Sequence, residues 1–466
     1  MNNKISLFPL VLLIVAAIDS IRTLPTTAFF GSSLIFFYLL SAVIFLIPVG
    51  LISAEFSSRY PEKGGVFHWV RNAFGDRIGL LAVWLQWINT MVWYPTMLVF
   101  IAGTATHILH PTLAYNKVFL LTGSLITFWS LTFLNLKGIK VSVRINSICG
   151  MIGTLLPMGF LILLGGWWYF SSHSHAIVFS WKDIVPSFNL LDNSCALVTI
   201  MASFLGMELA GVHVSDIENP QKNFPKAIGY AVIILLTTLI LGSLAVAVVI
   251  PKHDIHFVDG IMQTFTTFLT AFHMPYLIPL LALLIVIGST GGSVNWLLSP
   301  AKGLLQVAEC GFLPPFFLVK NKNEVPFRIL IFQAVLVSIF CFCLQFVPNV
   351  NTYYWFLMSL STGLYMLMYV LLFLAALKLK RPKNSYKIPR GMRTVSCYAG
   401  LCSCVITIII GFQPPSEMVM GSKTNYVLMI MSGFCLMVIP VIFFWLYQKK
   451  RGCQQPLPEG RGLEGN

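Results

Sequence analysis

Twelve long apolar runs separated by short polar stretches cover almost the whole chain, at 7–30, 32–54, 79–106, 118–136, 145–170, 194–214, 228–250, 275–299, 327–347, 353–377, 394–412 and 425–447. Each is close to the roughly 20 residues that a helix needs to cross a hydrocarbon core, and the first, sixth and eighth carry internal interruptions. The pattern predicts an all-α integral membrane protein with twelve transmembrane helices. Lys4 ahead of the first run resembles the start of a signal peptide, but no small-residue cleavage pattern follows, and the segment is read as a retained helix. The longest polar stretches, 55–78, 171–193, 310–326 and 378–393, are too short to bury a core of their own. One twelve-helix domain over 1–447 with a short tail over 448–466 is expected, and its work has to be done within the bundle or through it.

Composition strengthens this reading, because 57% of the residues are hydrophobic and only 10% charged, against about 25% charged in soluble domains. A net charge of +14 would suggest nucleic acid in a soluble chain, so its placement decides its meaning. With the N-terminus cytoplasmic, the same side holds Lys4; Arg59, Lys63, Arg71 and Arg77; Lys137, Lys140 and Arg144; Lys222 and Lys226; Lys302, Lys320, Lys322 and Arg328; the seven from Lys378 to Arg393; and Lys449, Lys450, Arg451 and Arg461. Only Lys117, Lys182, Lys252 and Lys423 fall opposite. This positive-inside bias predicts both termini in the cytoplasm and removes the case for a nucleic-acid partner. The partner surface is the lipid bilayer. Cys341, Cys343, Cys402, Cys404 and Cys435 sit within runs, with no metal-ligand spacing, and are expected to be small buried hydrophobes. No metal or organic cofactor is expected.

The interruptions carry the candidate chemistry. In the first run, SIRTLPTTAFFG holds Asp19, Arg22 and Pro25, and in the sixth, FLGMELAGVHVSDIENP holds Gly206, Glu208, Gly211 and His213. They lie five spans apart. A five-helix repeat is odd in number, so its second copy enters the membrane inverted, and carriers built this way bind substrate near the midplane where the first helix of each repeat is unwound. Pro25 removes a backbone donor, while Gly206 and Gly211 flank Glu208, so these three are the expected helix breaks. Freed N–H and C=O groups at such breaks suit the carboxylate and ammonium of a small zwitterion. The bland alternative is a mere proline kink.

The run TLPTTAFFGSSLIFFYLL, then FLIPVGLISAEF, EKGGVFHWV, GMELAGVHVSDIENPQKNFPKAI, VIPKHDI with GIMQTF, and NWLLSPAKGLL resemble the bacterial glutamate/γ-aminobutyrate antiporters of the amino acid, polyamine and organocation superfamily, over about residues 5 to 447. The resemblance implies a LeuT-like fold: two inverted five-helix repeats, about 7–170 and 194–377, with helices 1 and 6 broken, followed by helices 11 and 12 over about 394–447. It implies alternating access in a bacterial cytoplasmic (inner) membrane, and exchange of one amino acid for another or for its decarboxylated amine. Glu208 falls on the family's acidic position in the sixth helix, His213 on its nearby histidine, and Tyr365 and Tyr369 on a pair of tyrosines lining the path. The tyrosines are i and i+4, so both phenols leave one helix face; a packed bundle interface is the alternative. Three departures stand out: Ile21, Arg22, Thr23 and Leu24 before the proline, Gly291 and Gly292 where a carboxylate is expected, and a short tail.

An intramembrane charge costs about 2.5–3.5 kcal/mol on insertion scales, so each calls for a partner or a task. Asp19 and Arg22, i and i+3, would pair on an intact helix. The functional reading gives Arg22 to a substrate carboxylate, with Asp19 orienting it and Thr26 and Thr27 adding hydroxyls. Glu208 then offers a countercharge to a substrate ammonium or takes a coupling proton, and Asp19 and His213 are further candidates for coupling or pH sensing. Ser289, Thr290 and Ser293 offer oxygens for sodium beside unwound carbonyls, which would make the chain a symporter, or else small residues for close helix packing. A membrane-embedded enzyme is disfavoured because no acid and base constellation appears beyond Glu208 and His213, and a sensor because no signalling domain is attached.

Overall fold

The computed structural model describes residues 5–59, 65–137, 149, 151–171, 173–185, 195–209, 217–347, 350–380, 388–413 and 423–451. Gly211, His213 and residues 452–466 of the tail lie outside them. Helix dominates the described residues, and their one β-contact is an isolated bridge between Ile5 and Ile217. Eleven helices are long and apolar enough to cross a membrane. The sixth run differs: its described part is a shorter apolar helix, Cys195–Leu209, in which regular α-geometry ends at Ser203.

Burial sorts the helices. In the Asp76–Leu109 and Val350–Lys378 helices 72% of the apolar window is buried, against 17% in Lys423–Tyr447. The first two form the centre, and the last turns Leu436, Phe443 and Leu446 outward, as a helix bathed in lipid does. Asp76–Leu109 packs most extensively, against Ile278–Glu309 on one side and Val350–Lys378 on the other. Lipid is as apolar as a core, so an outward cysteine carries no penalty. Cys341 and Cys404 are buried as expected, but Cys343, Cys402 and Cys435 are exposed.

The eighth run is not interrupted. Ile278–Glu309 is continuous through Gly288-Ser-Thr-Gly-Gly292 and even through Pro300. Gly288 and Gly291 allow close approach: a Cβ on Gly288 would strike the Gly153 backbone, and one on Gly291 would strike the Cys149 side chain. The fifth and eighth runs thus meet backbone to backbone, the small-residue packing characteristic of membranes. Because this helix keeps its carbonyls in the α-ladder, it offers no unwound carbonyls beside Ser289, Thr290 and Ser293. The Ser293 hydroxyl donates back to the Ser289 carbonyl at 2.8 Å.

Candidate substrate cavity at two helix breaks

The first run breaks earlier than its proline suggests. Leu7–Ile18 is helical, Asp19 and Ser20 are extended (φ −65°, ψ 123° and φ −143°, ψ 115°), and a 3-10 turn over Ile21–Thr23 leads into the Leu24–Ala28 helix. Pro25 lies in the first turn of that second helix, where its missing N–H has no intrahelical partner to lose. It starts a helix and does not end one. In the sixth run the chain turns after Ser203, and Gly206 adopts φ 106°, a left-handed conformation that a side chain resists. A Cβ there would also collide with Trp296.

The two breaks meet at one cavity. Its walls include Asp19, Ser20 and Arg22 from the first run and Ala202, Ser203 and Leu205 from the sixth, closed by Trp93, Trp296 and Tyr365. Arg22 is 5% exposed. Its Nη1 donates to Tyr354 Oη at 2.7 Å and Thr96 Oγ1 at 3.0 Å, and its guanidinium lies 5.2 Å from the Trp93 ring centroid. Thr96 follows Pro95, a proline inside a helix, and its hydroxyl donates to the Trp93 carbonyl at 2.7 Å. Asp19, also 5% exposed, accepts from Thr238 Oγ1 at 2.9 Å through Oδ2. Among the described residues no ion pair joins Asp19 to Arg22, because the extended backbone between them removes the i, i+3 geometry.

Glu208 is 1% exposed and does not line the cavity. It accepts hydrogen bonds from Tyr365 Oη at 2.5 Å, from Tyr369 Oη, and from Gln86 Nε2 at 3.1 Å. Tyr369 Oη also receives the Gly206 N–H at 3.2 Å, so the broken sixth helix is fastened to the tyrosine face by side chain and backbone together. The i, i+4 spacing does aim both phenols one way, but at a carboxylate. Of the pair, only Tyr365 reaches the cavity. Thr26 and Thr27 are fully buried away from it: Thr26 donates to the Thr23 carbonyl at 2.7 Å, and Thr27 lies 2.6 Å from Ser243 Oγ. Of the sodium candidates, Ser289 lines the cavity. Sequence reading missed Trp93, Thr96, Tyr354 and Thr238. The cluster Asn89, Trp93, Pro95 and Thr96, hydrogen-bonding side chains and a proline inside an apolar run, was the available signal.

The Gly260–Ala271 helix starts against Pro25, where a Cβ on Gly260 would come within 3.0 Å of the Pro25 ring. Its N-cap residue, Asp259, accepts from or faces two histidines, His256 Nδ1 at 3.1 Å and His107 Nε2 at 3.9 Å. Burial pushes the Asp259 carboxyl up, but the hydrogen bond from His256 and the nearby His107 ring outweigh it and hold it below the usual 3.8. The hydrogen bond to Asp259 raises His256 above its usual 6.5. The His256 contribution is therefore complete below pH 6.5 and lost as pH rises through its raised value, while that of Asp259 is lost only as pH falls through its lowered one. Amides at the start of this helix should exchange hydrogen more slowly, after correction for intrinsic rate, at about pH 5.5 than at about pH 8. Asp259→Asn should erase the difference; equal protection at both pH values in the parent protein would refute the contact.

A bundle of membrane-length helices around a cavity that has an acid and a base in its wall, where two helices break, is the architecture of a carrier for small polar solutes. The chain matches the amino acid permease family over residues 5–434 and belongs to it: it is a membrane transporter, not an enzyme. It is 38% identical over 458 residues to an uncharacterized transporter of Legionella pneumophila, covering 96% of this chain and 97% of that one. A glutamate/gamma-aminobutyrate antiporter of Lactococcus lactis is 28% identical over 461 residues, 96% and 92% of the two chains. A protein named as a probable agmatine/putrescine antiporter of the same species is 24% identical over 420 residues, 88% of each.

Proposed function

We propose that the protein is an amino acid antiporter, exchanging an external amino acid for an internal amino acid or its decarboxylated amine by alternating access. The observation that carries this is the meeting of the two helix breaks at one cavity, with Asp19 and Arg22 in its wall. The names of the Lactococcus relatives support exchange, and glutamate with γ-aminobutyrate belongs in any substrate panel for that reason. The five-span spacing of the breaks supports two inverted five-helix repeats within a twelve-helix, LeuT-like fold, and the clustering of Lys and Arg supports cytoplasmic termini in a bacterial inner membrane. Purified protein in liposomes should take up labelled substrate only when unlabelled substrate is inside. Equal uptake into empty and preloaded vesicles, with the potential clamped, would overturn exchange, and dependence on a sodium gradient would make the protein a symporter.

A further inference from the structure

We propose that the cavity selects amino acids of zero net charge, with Asp19 Oδ1 receiving the substrate ammonium and Arg22 Nε its carboxylate. The proposal rests on the transporter reading and names the substrate class of the same site. Both atoms are buried and lack any hydrogen-bond partner, and both side chains line the cavity. Such orphans are rare in native structures and call for an explanation. Here the rest of each side chain is held in place: Arg22 by Tyr354, Thr96 and the Trp93 ring, and Asp19 by Thr238. Each is oriented, with the buried Asp19 Oδ1 and Arg22 Nε left over. The two cannot satisfy each other, since no ion pair joins them across the extended Ser20.

A zwitterion satisfies both at once. An amine without a carboxylate leaves Arg22 Nε uncovered and places a second cation beside a buried guanidinium. A substrate with an extra carboxylate has the opposite difficulty. Among the described residues of the wall, Asp19 and Arg22 are the only acid and base, and the remainder is aromatic, aliphatic or small and polar, as in Trp93, Met97, Leu155 and Thr154. Among those described residues no second cation is present to meet a side-chain carboxylate. Glu208 stands behind Tyr365 with both oxygens already hydrogen-bonded, and a carboxylate there opposes an acidic side chain. Glutamate, named for the Lactococcus relatives, is thus a poorer fit here than an apolar or small neutral amino acid.

The test is ligand binding to the purified full-length chain, read as a shift of its melting temperature. The probes are alanine, leucine, γ-aminobutyrate, glutamate, agmatine, putrescine, leucine methyl ester and N-acetylleucine. The expected result is half-saturation by the best net-neutral amino acid at a concentration roughly tenfold or more below that for glutamate, agmatine or putrescine. Both blocked leucines should lose the shift, since each lacks one of the two charges. Arg22→Gln should melt near the parent protein and lose the leucine shift; if that variant does not fold, the blocked leucines carry the test. The proposal is overturned if glutamate or either amine half-saturates at an equal or lower concentration, if either blocked leucine binds as well as leucine, or if no net-neutral amino acid shifts the melt. Binding is read without counterflow, so a protein that binds leucine yet fills empty and preloaded vesicles equally would refute exchange alone.

Discussion

Arg22→Gln is expected to yield a protein that reaches the membrane folded but exchanges its substrate poorly. Glutamine ends short of the Nη1 that serves Tyr354 and Thr96, but it leaves no unpaired buried charge, and Thr96 keeps its bond to the Trp93 carbonyl. What disappears is the charge that a carboxylate needs. A charge-assisted hydrogen bond contributes about 1.5–3 kcal/mol, so apparent affinity should fall by roughly tenfold to a hundredfold. Arg22→Lys should fall between, because it keeps the charge but loses the planar fork and its stacking on Trp93. Arg22→Ala removes charge and donors together and should cost both stability and transport. Counterflow in liposomes, set beside the melting temperature of each variant, separates these contributions. Unchanged exchange by Arg22→Gln would make the arginine a structural strut.

The second large effect is on folding. Glu208→Leu deprives Tyr365, Tyr369 and Gln86 of their common acceptor in a site that water does not reach. Each buried donor left without a partner costs about 1–3 kcal/mol, so the variant should lose several kcal/mol and much of its yield. Glu208→Gln keeps a carbonyl oxygen in place and should be far milder. Melting curves in detergent distinguish the two variants. If Glu208→Leu melts with the parent protein, the carboxylate is not the hub that ties the sixth helix to Val350–Lys378.

Much of this was legible in the sequence, and the misses have physical reasons. Apolar runs locate membrane helices well because lipid leaves a helix few alternatives, and eleven of the twelve runs appear as membrane-length helices. Of the sixth, the described residues form the shorter Cys195–Leu209 helix, whose regular geometry ends at Ser203, just before the positive φ at Gly206. Break positions were harder to read. A proline marks where a helix can begin as readily as where one fails, so Pro25 pointed a few residues past the break at Asp19 and Ser20. Glycines are equally ambiguous: at 206 the backbone needs one, whereas at 288 and 291 a neighbouring helix does. Thr26 and Thr27 looked available as ligands, but hydroxyls beside their own carbonyls bond locally. Partners such as Thr238 and Tyr354 are separated from Asp19 and Arg22 by more than two hundred residues, and a single sequence without a contact map does not join them.

That separation bears on how the chain is made. Leu7–Ile18 has 12 residues, about 18 Å of helix, and cannot alone cross a core of about 30 Å. Arg22 therefore enters the membrane region with its partners still unmade: Thr96 comes 74 residues later and Tyr354 comes 332 later. At about 5–20 residues per second, Tyr354 follows after roughly 20 to 60 s. Through that interval the guanidinium has to stay in water or within the insertion machinery, so the beginning of the chain takes its final place only when the tenth span arrives to receive it.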